Sequence, residues 1–170
     1  MRRLLALSVA TLLLIGLSAA PVTAGSDLPF KAKADVVSLS EPMPIEVCGD
    51  PPGFLGQELV LTGTATHLGR FDQFEVICLD MRAFPLVPFV VYGTYTTGNG
   101  DELDYFVEGL FNFATGEGTD GGTNFTGGTG RFANASGSAA AVFLRDAQGT
   151  AYAQTVSGWI SYDASDRSAK

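Results

Sequence analysis

Between Glu58 and His67 the chain alternates, with Leu59, Leu61, Gly63, Ala65 and His67 on one face and Glu58, Thr62, Thr64 and Thr66 on the other; Val60 is the exception. A period of two is the signature of a half-buried strand, because successive side chains leave a strand on opposite sides. Short runs rich in Val, Phe, Tyr and Thr then recur towards the C-terminus, separated by Gly- and Asp-containing turns about every 10–15 residues, and no helical period interrupts them. The pattern predicts strands over 34–40, 58–67, 71–80, 86–96, 102–114, 124–126, 136–145 and 150–162. In the fifth, Tyr105, Val107, Phe111 and Phe113 share one face, while Phe106 and Leu110 lie with Asp104, Glu108 and Asn112 on the other, so that strand reads as apolar on both sides.

The punctuation is specific. Gly98-Asn99-Gly100-Asp101 and Asp146-Ala147-Gln148-Gly149 supply residues that tolerate positive φ, as hairpins require, so consecutive strands pair antiparallel. About eight strands without helices make an all-β fold, either a closed antiparallel barrel or a sandwich. Closure removes exposed edges, and glycines inside strands, at Gly63, Gly93, Gly109 and Gly158, suit its curvature, so the barrel is the preferred reading. Residues 25–33 are short and polar, and 41–56 holds Pro42, Pro44, Pro51 and Pro52, so neither stretch is expected to form a regular element.

The beginning of the chain adds a compartment. Arg2 and Arg3 precede the apolar run Leu4 to Ala20, and Val22 and Ala24 stand at −3 and −1 of a cut before Gly25. Residues 1–24 therefore read as a secretory signal peptide, with 25–170 a single exported domain, secreted or periplasmic. Cleavage removes two arginines and no acid, taking the formal charge from −8 to −10. Such a balance repels phosphate backbones and anionic lipid, which argues against nucleic acid or a membrane as partner of the mature protein. The two cysteines, Cys48 and Cys78, are most simply one disulfide in an oxidising compartment, tying the proline-rich loop to a strand. A metal site would need more ligands than the single His67 offers beside them, so neither metal nor cofactor is expected.

One glycine-rich stretch, Gly127-Gly128-Thr129-Gly130-Arg131-Phe132-Ala133-Asn134-Ala135-Ser136-Gly137-Ser138-Ala139, contains a G-x-G-x-x-A string. A dinucleotide site needs a buried strand before that string and a helix after it, and both neighbours fail. The same residues resemble the G-G-T-G-x-F-x-x-A-x-G-x-A segment of plant dirigent proteins and their relatives in the allene oxide cyclase barrel-like superfamily, matching at Gly127, Gly128, Thr129, Gly130, Phe132, Ala135, Gly137 and Ala139. Gly63-Thr64-Ala65-Thr66-His67-Leu68-Gly69-Arg70-Phe71 is similar to a segment of secreted bacterial proteins of that barrel type. The resemblance implies an eight-stranded antiparallel barrel with an apolar lumen, often assembled as a homotrimer. It carries over no catalytic residue, since the acids and tyrosines that dirigent or cyclase members use have no motif here to map onto. Physically, Gly127, Gly128, Gly130 and Gly137 permit tight turns and close strand approach, Phe132 fills the core, and the alanines leave room in a narrow barrel.

Three functions follow, the first of them preferred. The first is a non-catalytic module whose lumen takes an apolar or aromatic small molecule. The second is a cyclase- or dirigent-type enzyme that steers a reactive intermediate in a dry pocket. For this the candidate catalytic residues are His67, on an apolar face, and Glu75, set among Phe74, Val76 and Ile77; both are expected near one barrel end, flanking the Leu68-Gly69-Arg70 turn. The third is a structural or assembly protein at the cell surface. Glu117 to Asn124 is acidic, but its spacing matches no calcium loop and a solvated hairpin is expected there.

Overall fold

Phe30, Ala32 and Ala34 are buried while Lys31, Lys33 and Asp35 face out, so the period-two pattern begins inside the 25–33 segment that composition marks as irregular. The structure, a computed structural model, describes residues 27–49, 53–115, 117–145 and 150–163. The proposed signal peptide and the 146–149 turn lie outside the described residues. The first strand, β1 (Leu28–Leu39), corrects the expectation that 25–33 carries no element. Two of its inward residues are alanines, which give a weak hydrophobic signal, and Pro29 pairs only with Trp159, at a strand end where a missing N–H is tolerated.

Seven strands follow: β2 (Phe54–Ala65), β3 (Gly69–Asp80), β4 (Leu86–Thr97), β5 (Glu102–Asn112), β6 (Glu117–Gly128), β7 (Ser136–Arg145) and β8 (Ala151–Ser161). Each pairs antiparallel with the next, and β8 returns to β1 from Ile160↔Leu28 to Ala153↔Asp35, so the sheet is a closed eight-stranded barrel and the sandwich is set aside. Strand β6 is far longer than the three residues expected. Its polar, glycine-rich start pairs with β5 through one register shift, between Val107 and Gly109, so the 117–124 segment is strand and not a hairpin. Pairing with β5 overrides the local turn preference of Asp120-Gly121-Gly122.

The two ends differ. At one, the β2–β3 and β4–β5 hairpins meet the connection from β6 to β7, which holds a 3-10 turn at Gly130–Phe132. Phe30, Phe71, Phe125 and Phe132 pack there with Leu61, Leu103 and Ile160, with Phe30 and Phe125 ring centroids 4.8 Å apart, so the lumen is plugged. Gly130 at φ +54 is required, because a side chain would also collide with the Asp101 carboxylate. The glycine-rich stretch turns the chain over the closed end, where Phe132 is fully buried.

At the other end lies the loop before β2. It contains a 3-10 turn at Glu46–Cys48 and a bridge from Met43 to Gly56, and β2 starts at Phe54, so its first three residues lie inside the stretch expected to be irregular. Cys48 and Cys78 are disulfide-bonded with Cα atoms 5.1 Å apart, fixing this loop to β3. The bond matches an oxidising environment.

Candidate functional site

Along β3 the inward positions are Phe71, Gln73, Glu75 and Ile77, so two polar side chains stand where alternation calls for apolar ones. Gln73 is 1% exposed and Glu75 2%. Such burial is tolerated only where hydrogen bonds replace water, and a row of residues across the sheet supplies them. Glu75 pairs with Gly93 on β4, and Gly93 pairs with Tyr105 on β5. Because Gly93 has no side chain, the Tyr105 ring lies over it; a Cβ there would fall among the ring atoms and hydroxyl of Tyr105. The hydroxyl thus reaches Glu75, donating to Oε1 at 2.5 Å.

Two amides complete the group. Gln73 Nε2 lies 2.6 Å from Glu75 Oε1, 2.8 Å from the Tyr105 hydroxyl and 3.1 Å from Gln154 Oε1, while Gln154 on β8 donates from Nε2 to Glu75 Oε1 at 3.3 Å. All of these bonds to the carboxyl end on the one oxygen. Tyr95 stacks against Tyr105 with centroids 4.9 Å apart.

Burial raises the Glu75 pKa, and the hydrogen bonds from Tyr105, Gln154 and Gln73 offset only part of that rise. Tyr105 and Tyr95 are pushed up as well, first by burial and then by the nearby Glu75 charge. The three groups therefore favour their neutral, proton-bearing forms more than they would in water.

Above this cluster the lumen is hollow. A cavity of about 550 Å³ runs from Glu75, Tyr105, Thr123 and Gln154 towards the end opposite the phenylalanine plug. Leu59, Ile77, Phe89, Val91, Val107 and Phe143 form its walls, and Leu39, Phe113 and Ala151 stand at its rim. Among the described residues no lysine, arginine or histidine lines it.

His67 and Glu75 are not brought together. β2 ends at Ala65, and His67 sits half-buried in the following turn at φ +68, with Nε2 3.1 Å from the Pro29 carbonyl oxygen and its ring against Tyr162. It therefore does not continue the inward face of β2, as alternation had implied. Glu75 lies six residues into β3, about 20 Å along the strand from that turn at ~3.3 Å per residue. His67 marks the closed end and Glu75 the floor of the cavity, so the expected pair at a shared barrel mouth does not exist.

Gln73, Tyr105 and Gln154 were not anticipated as partners of Glu75. The signal for Gln73 and Glu75 was available, since both share a face with Phe71 and Ile77. Gln154 meets them across the lumen from 79 positions away, and no local pattern announces that contact. No family model, curated protein or solved structure matches the chain.

Proposed function

We propose that the protein is an exported barrel, related to the allene oxide cyclase-like and dirigent-like group, that binds an apolar or aromatic small molecule without transforming it. The observation that carries this reading is the cavity of about 550 Å³, whose size and apolar lining with a few convergent polar groups are those of a small-molecule site. Eight-stranded barrels can instead be filled entirely by side chains. The resemblance of Gly127 to Ala139, and its place at the closed end of an eight-stranded barrel, support the family reading. The disulfide and the charged, apolar N-terminus support export.

One observation favours a second reading, an enzyme of the cyclase or dirigent type: Glu75 is a buried carboxyl of raised pKa on the cavity floor, in reach of a proton transfer to a bound molecule. The neutral fluorophore N-phenyl-1-naphthylamine tests the binding reading. One molecule per chain should bind with enhanced emission, and Ala141→Trp, which fills the cavity from β7, should abolish it while the barrel still melts cooperatively. Equal emission from both proteins would reject the lumen as the site.

A further inference from the structure

The polar floor of the cavity is short of donors. Three donor groups, the Tyr105 hydroxyl and the amides of Gln73 and Gln154, converge on Glu75 Oε1, and none of these bonds reaches Oε2. Glu75 itself lines the cavity, and no cationic side chain among the described residues does so. A buried carboxylate without a counter-ion is costly.

The walls point the same way. Tyr95 and Tyr105 stand beside the carboxyl, with Phe89, Phe111 and Phe143 further along the cavity. Aromatic faces attract cations, most strongly where water is excluded. Formal charge over the whole chain is −8, which raises the local concentration of cationic ligands and lowers that of anionic ones.

We propose that the ligand is an apolar amine, held with its ammonium group on Glu75 between aromatic walls and its hydrocarbon part along the lumen towards the rim. This rests on the binding reading above and narrows it to one chemical class. An ammonium brings up to three N–H donors and the missing positive charge together, whereas an alcohol brings one donor and no charge, and a carboxylate adds a second negative charge. Glu75 is on this account the specificity-determining residue, and the closed phenylalanine end sets how deep the head group can go.

The test is displacement of N-phenyl-1-naphthylamine at pH 7 by octylamine, 1-octanol and octanoate, which share one chain length and differ in head group. In the wild type octylamine should displace the probe at a concentration at least tenfold below 1-octanol, with octanoate the weakest. In Glu75→Gln the advantage of octylamine over 1-octanol should vanish. Octanol or octanoate equal to octylamine in the wild type would overturn the amine proposal and leave the binding module standing. An amine preference that survives in Glu75→Gln would overturn the role of Glu75. Failure of the probe and of all three competitors to bind would remove the binding reading itself. The wild-type order is decisive even if Glu75→Gln fails to fold.

Discussion

Tyr105 reaches Glu75 across Gly93: three residues in register on β5, β4 and β3 place the hydroxyl 2.5 Å from the carboxyl, and the contact exists because the middle residue has no side chain. Gly93→Ala should therefore act through Tyr105. The new methyl displaces the ring, the carboxyl loses its shortest donor, and stability should fall by more than the roughly 1 kcal/mol of a propensity change. A double-mutant cycle with Tyr105→Leu, followed by thermal melting, should be strongly non-additive. Additive losses would mean that Gly93 and Tyr105 act independently.

Tyr105→Phe keeps the ring and removes the donor. A buried carboxyl that loses a hydrogen bond costs about 1–3 kcal/mol, so this variant should melt lower at neutral pH. Because the Tyr105 bond holds the Glu75 pKa down, its loss should raise that pKa further, and the deficit should shrink as the pH is lowered and the carboxyl becomes neutral. Chemical denaturation at pH 4.5 and pH 7.5 compares the two conditions.

Glu75 has a raised pKa in the folded state, so it contributes stability below its ordinary value of 4.5 and loses that contribution as the pH rises through the folded value. Glu75→Gln should thus melt higher than the wild type at pH 7 to 8, with the difference vanishing near pH 4. Each unit of upward displacement corresponds to about 1.4 kcal/mol, which moves the melting temperature of a domain of this size by about 2–4 °C per kcal/mol. A wild type that is the more stable at pH 8 would contradict the uncompensated burial of this carboxyl.

Two of the five tyrosines, Tyr95 and Tyr105, should ionise only well above the ordinary value of 10. Spectrophotometric titration should show their absorbance change coinciding with alkaline unfolding, and Tyr95→Phe or Tyr105→Phe should each remove one equivalent from that late step.

Reducing the Cys48–Cys78 bond frees a loop of about 30 residues in the unfolded chain, which on chain-entropy grounds is worth about 3–4 kcal/mol. The reduced protein should melt lower, and the non-reduced protein should label with no thiol reagent. Labelling of two thiols in the non-reduced protein would refute the bond.

Much of the barrel was legible because its strands alternate and its turns carry glycine, asparagine and aspartate. The strands from β3 to β5 and β7 were bounded closely from Phe71, Gly98-Asn99-Gly100 and Ser136. What failed was the reading of segments whose own residues signal strand weakly: β1, whose buried alanines are weak signals, and β6, whose glycines look like a loop until β5 pairs with them. The site was half legible. Glu75 stood out as an acid in an apolar strand, but its partners Tyr105 and Gln154 come from other strands, and the space that admits the tyrosine is visible only as a glycine on the strand between them. His67 drew attention through its residue type and its apparent place on the apolar face of β2, and the turn after Ala65 removes it from the lumen.

The central claim is that the hollow half of the barrel holds the ligand, and methyl NMR of the protein during titration with N-phenyl-1-naphthylamine tests it most directly. Leu59, Val91 and Val107 line the cavity, whereas Val60 and Val76 alternate with inward residues on the outer face of β2 and β3. The account predicts that the three interior residues shift together, saturating at one probe per chain, while Val60 and Val76 stay in place. Shifts confined to Val60 and Val76, or none at all, would contradict it.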